Sequence, residues 1–269
     1  MVGRSARNPA EPQAIRERDW RLQALTTLAK ASTLPSGVTH PVGTVIEAVG
    51  FLKHAGRTHD HGLASPLALY LGAAAEAERR ARRHLERALR GLADHRTPVS
   101  GQLRRREQHL FDGLQERAVA IVFSLTTLEA FANDGIPPDF VLHRLNQHSS
   151  APEDLDAQAI ERFISLDEKL ISVISSVAKK QPVNTTPHWQ NYRWLAALRD
   201  RLIHLKRRDW RGLAPQDSGR WIWTHVAAPR AALAPWHVRN MLLYFLEPQV
   251  PRWLQQFSDL YGPMFSQAA

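Results

Sequence analysis

Apolar residues recur at helical spacing along residues 187–205. At ~100° per residue they occupy two separate faces of one helix. The first face consists of Leu195, Leu198, Leu202 and Leu205, and the second of Tyr192, Ala196 and Ile203. Thr186 suits the N-cap and Pro187 the first helical position, so the pattern predicts a helix of about twenty residues that ends before Gly212. Two apolar faces favour packing into the core on one side and against a further surface on the other.

The same period in other segments predicts an all-α protein. Helices are expected over residues 13–31, 42–52, 65–89, 103–133, 150–177 and 234–247, and a short helix or helical turn over 138–148. Alternating apolar and polar residues at 220–226 predict a strand in one small β-hairpin.

A Pro- and Gly-containing stretch at residues 97–101 is the best internal boundary. We therefore divide the chain into a disordered tail (1–12), an N-terminal helical region (13–96) and an up-and-down helical bundle (103–262).

Composition narrows the chemistry. The 269 residues include no cysteine, which excludes disulfides, thiolate zinc sites and cysteine nucleophiles. The chain contains no apolar run of about 18 residues and no secretory segment, so we expect a cytoplasmic protein without membrane partners. A net charge of +9 favours an anionic partner, with nucleic acid the first candidate, although 29 Arg against 6 Lys is also typical of codon bias.

The charge is concentrated between residues 79 and 106, where ten Arg face only two acidic residues. Such a face could follow a phosphate backbone through salt-sensitive contacts, or it could be a solvated face partly paired with Glu76 and Glu78. Both interpretations stay open. The candidate RNA-binding residues are Arg79, Arg80, Arg83, Arg87, Arg104, Arg105 and, on a later segment, Arg207.

A cluster of chemically useful residues, Arg199, Asp200 and His204, follows the second apolar face of the helix at 187–205. An imidazole has the pKa for proton transfer near neutral pH, and a guanidinium can hold a phosphate through two hydrogen bonds. On a helix Asp200 neighbours His204 at i,i+4 and could orient its ring. The plain alternative is a polar helix flank. Arg199 and His204 lie ~140° apart around the axis, so a two-fold dimer would bring them together better than one chain.

Spacing alone does not identify this cluster, because Arg is followed five residues later by His five times. The other pairs start at residues 79, 90, 104 and 220. Only Arg199 is followed at once by a small polar side chain and lies on a late helix with two apolar faces.

The run from Arg199 to His204 resembles the signature of Arg, a polar residue, three residues and His that marks HEPN-domain ribonucleases. The resemblance covers residues 103–261, and the helix at 187–205, which we call the motif helix, carries it most sharply. It implies a helical bundle that forms homodimers and cleaves RNA without a metal or other cofactor, through Arg and His residues of both protomers. It further implies a toxin or anti-phage defence effector, with an antitoxin or regulatory protein as a partner.

The rival hypothesis is a non-catalytic helical module that binds nucleic acid or an acidic protein through the basic face at 79–106. Motifs for other chemistry, such as glycine-rich phosphate loops and HExxH, do not occur. The triplet His59-Asp60-His61 could ligate a metal only with a distant further ligand, and we interpret it as part of a loop.

Overall fold

The structure, a computed structural model, describes residues 18–23, 25–28, 30–33, 37–42, 44–90, 100–145, 151–210 and 221–266. Contacts divide the chain into two compact units, Met1–Leu69 and Tyr70–Ala269. The tail at 1–12 and most of the expected boundary at 97–101 lie outside the described residues, so the domain assignment stays a prediction.

The described residues of the first unit form three antiparallel pairs of strands. The strands are β1 (Leu25–Thr27), β2 (Ser32–Thr33), β3 (Thr39–His40), β4 (Val45–Glu47), β5 (Val49–His54) and β6 (Arg57–Gly62). Strand β1 pairs with β4, β2 with β3, and β5 with β6.

The expectation of helices at 13–31 and 42–52 is therefore wrong for the described residues of this region. In the hairpin of β5 and β6, Ala55 and Gly56 have φ of 48° and 76° and join His54 to its partner Arg57. Two central residues with positive φ make the turn whose twist suits a two-residue hairpin, and Gly accepts this conformation readily. The triplet that starts at His59 lies on strand β6 and not in a loop.

The second unit is mainly helical, which confirms the fold class at that level. Its helices are α1 (Pro66–Leu89, whose first four residues belong to the first unit), α2 (Ser100–Asp134), α3 (Ala157–Phe163), α4 (Leu166–Glu168, the π-helical Lys169–Ile174 and Ser175–Val177), α5 (Pro187–Ile203), α6 (Arg207–Trp210), α7 (Ile222–Ala227), α8 (Pro229–Ala232), α9 (Ala234–Leu246) and α10 (Arg252–Ser266). Strands β7 (Leu142–Leu145) and β8 (Pro152–Leu155) form an antiparallel pair. No helix of the described residues is both long and apolar enough to cross a bilayer.

Helix α5, the motif helix, packs against α2, α7 and α9. Its residues Leu195 and Leu198 are buried, as expected for the first apolar face, but Tyr192 is buried too, although it was expected on the face turned away from the core. On α2, the expected apolar stripe also enters the core through Leu114, Ile121, Leu125, Leu128 and Ala132. Helices α2 and α9 cover one side of α5. The last turn of α5 lies at the surface, where Ile203 is 46% exposed.

Three local expectations in this unit are wrong. Residues 142–145 form strand β7 where a short helix or helical turn was expected at 138–148. The helix expected over 150–177 is not continuous, because Pro152–Leu155 is strand β8 and the extended residues Ile164 and Ser165 separate α3 from α4. Residues 220–226 were expected to form a strand, but Ile222–Ala227 is helix α7. Ile222 and Val226 are both fully buried, and their separation of four residues places them on one helical face. Two residues four apart also lie on one side of a strand, so a pattern this short could not distinguish a strand from the helix that forms.

An ion pair lies inside the helical unit. Arg117 on α2 donates from Nε and Nη2 to the two carboxylate oxygens of Glu78 on α1, over 2.9 and 2.8 Å. Its Nη1 donates to the carbonyl of Ala227 over 3.1 Å, and both charged side chains are almost fully buried. Burial raises the pKa of Glu78, although Arg117 acts in the opposite direction. This pair ties α1, α2 and α7 together.

His237 on α9 makes stability depend on pH. Burial, together with the nearby Arg230 and His188, lowers the pKa of His237 to about 4, and its buried Nε2 has no hydrogen-bond partner among the described residues. A depressed pKa means that stability is complete above the unfolded value of about 6.5 and is lost as pH falls from there toward 4. We expect a loss of roughly 3 kcal/mol over this window.

The variant His237→Phe removes the titrating group and keeps a ring of similar size, so this part of the pH dependence should disappear. Urea unfolding of both proteins between pH 7 and pH 4 measures it. Parallel stability curves for wild type and variant would show that His237 is not responsible.

Candidate functional site

The motif helix ends at Ile203 after 17 residues, slightly short of the expected length of about twenty. His204 is its C-cap, with φ −112° and ψ 55°, and its backbone N–H donates to the carbonyl of Asp200 over 2.9 Å. The chain then turns into α6. The buried carboxylate of Asp209 holds this turn, because it accepts from Arg201 Nε at 3.0 Å and from the Lys206 N–H at 3.1 Å.

Arg199 is held by two carboxylates. Its Nη2 donates to Glu129 of α2 over 3.0 Å, and its Nη1 donates to the adjacent Asp200 over 3.1 Å. The Nε atom is buried and has no partner within the described residues. Glu129 therefore orients the guanidinium of Arg199 from α2. The sequence did not indicate this contact because the two residues are 70 positions apart.

His204 and Asp200 line one small pocket of about 190 Å³. The other lining residues are Arg201, Lys206 and Asp209. The Asp200 side chain bonds to Arg199, and no hydrogen bond joins it to the His204 ring within the described residues. Because His204 has left the helix, the expected i,i+4 contact between carboxylate and imidazole is not formed in this chain. The exposed imidazole therefore faces solvent beside two cationic side chains.

Sequence reasoning missed Arg201 and Lys206 as members of this pocket. Arg201 lies between the two residues of the motif, and Lys206 opens the basic run Lys206-Arg207-Arg208 directly after the helix. Both are cations within reach of an anion bound beside His204. Arg201 is already bonded to Asp209, whereas the Lys206 side chain is exposed. The basic run was a signal that could have identified Lys206.

A tyrosine beside the site cannot act as its base. Burial raises the pKa of Tyr192, and the negative charges of Glu129 and Asp200 add to the effect. The hydroxyl therefore stays protonated and donates to the carboxylate of Asp167.

A larger apolar groove of about 630 Å³ adjoins the end of the motif helix. Its lining comes from α2, from the end of α5 and from the start of α7. Its exposed large apolar residues are Phe111, Ile203, Leu205 and Trp221. Both apolar faces of the motif helix thus reach this groove next to His204, the first through Leu202 and Leu205 and the second through Ile203.

The candidate RNA-binding arginines divide into two groups. Arg79 pairs with Glu76, and Arg80 donates to both carboxylate oxygens of Glu116. Glu78, expected to neutralise the basic face, is instead buried against Arg117. Within the described residues, the remaining candidates are exposed and have no ion-pair partner; they are Arg83, Arg87, Arg104, Arg105 and Arg207. These five side chains keep their donors available for an anion.

Comparison of the chain with protein-family models, with curated proteins and with solved structures finds no match.

Proposed function

We propose that this protein is a metal-independent endoribonuclease of the HEPN type that acts as a homodimer. The observation that supports this best is the position of His204. Its imidazole is exposed beside Arg201 and Lys206 and lies one residue from Ile203, at the rim of an open apolar groove. A second copy that covers the groove would bring two histidines and two arginines to one cleft.

In the proposed reaction His204 takes the proton of a ribose 2′-OH. The 2′ oxygen attacks the adjacent phosphorus, the bond to the 5′ oxygen breaks, and the leaving oxygen takes a proton from the imidazolium of the other protomer. The products are a 2′,3′-cyclic phosphate end and a 5′-OH end. Arg199 stabilises the charge of the pentavalent intermediate.

Arg199 needs an exchange of partners for this role. In the single chain its Nη1 and Nη2 bind Asp200 and Glu129. Asp200 is the more exposed of these partners, at 64% of its side chain, and its contact with Arg199 joins neighbouring residues. A phosphate would therefore displace Asp200, which becomes free to accept from His204, while Glu129 keeps the guanidinium oriented.

The resemblance of the motif extends this proposal to biology. RNA is the partner and substrate, and the activity is that of a toxin or an anti-phage defence effector under the control of an antitoxin or regulatory protein. In this proposal the protein acts in the cytoplasm.

The dimer is tested through Ile203→Asp. A carboxylate at this position would lose its water when a second copy covers the groove, which costs several kcal/mol. We expect the dimer dissociation constant to rise at least about 100-fold, since ~3 kcal/mol corresponds to that factor, and RNA cleavage to fall with it. Analytical ultracentrifugation gives the oligomeric state.

The matched control is Leu260→Asp, at a position 58% exposed on α10 and outside the groove. This variant should keep both the dimer and the activity. A wild-type protein that sediments as a monomer and still cleaves RNA would remove the two-chain site.

The exposed arginines favour a second function, binding of nucleic acid without cleavage. Arg83, Arg87, Arg104 and Arg105 lie on α1 and α2 without carboxylate partners within the described residues. Each phosphate contact from this face would add salt-sensitive affinity. This hypothesis requires binding that falls with salt and does not depend on His204.

A further inference from the structure

Two histidines and an aspartate meet between α1 and α2, apart from the motif helix. His84 on α1 faces His109 on α2, with their Nδ1 atoms 3.3 Å apart. Asp112 lies one turn from His109 on α2, and its Oδ2 is 3.6 Å from His84 Nδ1. One ligand atom from each of the three residues lies within 4.8 Å of the others.

We propose that His84, His109 and Asp112 form a binding site for a divalent transition metal, with Zn²⁺ as the intended ion. Two imidazole nitrogens and one carboxylate are a donor set that Zn²⁺ uses in proteins, with a fourth position left for water. With zinc–nitrogen bonds of about 2.05 Å and a tetrahedral angle, two ligand nitrogens lie about 3.3 Å apart. The measured separation of the two Nδ1 atoms is 3.3 Å.

The carboxylate of Asp112 is available to a cation. Among the described residues Asp112 has no Arg or Lys partner and pairs only with His84, although α1 and α2 carry many arginines. The neighbouring carboxylate of Glu116, by contrast, accepts hydrogen bonds from Nε and Nη2 of Arg80. Asp112 thus has an anionic charge directed at two imidazoles and not neutralised by a guanidinium. The half-buried His84 and the 42% exposed Asp112 also leave an entry path.

The geometry has one competing explanation. A proton could join the two rings, with one neutral imidazole donating from Nδ1 to the other. A metal and this proton are mutually exclusive, because both need the same lone pairs. The bound ion would clamp α1 to α2 on either side of residues 91–99, and the motif helix contributes no ligand to it. The site therefore stands apart from the proposed ribonuclease chemistry.

The test uses the full chain, without an affinity tag and freed of metal with a chelator that is then removed. Zn²⁺ is titrated calorimetrically, and Co²⁺ is followed by visible absorption. We expect one equivalent of Zn²⁺ and the visible bands of tetrahedral Co²⁺. The variants His109→Ala and Asp112→Asn should each weaken Zn²⁺ binding by about 100-fold or more, because even partners of metal ligands typically contribute about 10- to 100-fold.

The control is the double variant His59→Ala/His61→Ala, which removes two exposed histidines of strand β6. It should bind Zn²⁺ like the wild type. Circular dichroism establishes that each variant is folded, and Asp112→Asn keeps both imidazoles and the shape of the carboxylate. Absence of stoichiometric binding to wild type, or equal binding to wild type and Asp112→Asn, would overturn the proposal. The readout contains no RNA, so it stands or fails independently of ribonuclease activity.

Discussion

His204→Ala should lower the rate of RNA cleavage by about 10²- to 10⁴-fold, which is the usual contribution of a positioned general acid or base. His204 is exposed and caps the helix through its backbone N–H, which alanine retains. The variant should therefore fold normally. Cleavage of a labelled RNA in the presence of EDTA, at equal concentrations of wild type and variant, measures the effect.

The matched control is His143→Ala. This histidine is also exposed, and it also has a carboxylate neighbour, Asp154, at 2.6 Å, but it lies on strand β7. Its substitution should leave cleavage unchanged. The double variant Arg104→Glu/Arg105→Glu tests the basic face. If it binds RNA more weakly than wild type and none of the proteins cleaves RNA, the result favours the non-catalytic function. Equal cleavage by wild type and His204→Ala would remove the site assignment.

Arg117→Met should destabilise the protein by about 3 to 5 kcal/mol, because it leaves the carboxylate of Glu78 buried without its partner. The double variant Glu78→Leu/Arg117→Met removes both charges and should regain most of that loss. Urea unfolding at neutral pH measures all three proteins. The structure offers a matched surface pair, since Arg80 and Glu116 make the same two-bond contact with Arg80 43% exposed. Arg80→Met should cost at most about 1 kcal/mol.

The pH dependence of Arg117→Met follows from the same burial. Burial already raises the pKa of Glu78, and loss of Arg117 removes an interaction that lowers it. A carboxyl group with a raised folded pKa favours the folded state in acid, and this contribution is lost as pH rises through the folded value. The variant should therefore lie closest to wild type near pH 4 and furthest from it above neutrality. An equal loss at both pH values, or a loss no larger than that of Arg80→Met, would contradict the buried-charge explanation.

Long helices were predictable from the sequence, and short elements were not. Over α1, α2, α5 and α9 an apolar stripe repeats for several turns, so a few exceptions do not obscure the period. Residues 220–226 are too few to establish a period. Their two buried apolar residues, Ile222 and Val226, would lie on one side of a strand as well as on one side of a helix. In the first unit, Ala55 and Gly56 form a two-residue turn that the hydrophobic pattern does not reveal.

Contacts between charged residues that are far apart in the chain could not be predicted from the sequence either. The sequence places Glu78 on α1. Whether Glu78 pairs with Arg117 or with an arginine of its own helix depends on which face of α2 packs against α1. The partner of Arg199 likewise depends on the packing of α5 against α2. The motif helix itself could be predicted, whereas its end at Ile203 could not, because Asp209 holds the following turn through bonds to Arg201 and Lys206.

The most direct measurement is the chemistry of the RNA ends made by the purified wild-type protein in EDTA. We expect fragments with 2′,3′-cyclic phosphate and 5′-OH ends, since in the proposed reaction the 2′-OH is the nucleophile and no metal-bound water takes part. Mass spectrometry of the fragments identifies these ends. Intact RNA, or fragments with 5′-phosphate ends that disappear when EDTA is added, would contradict the proposed function.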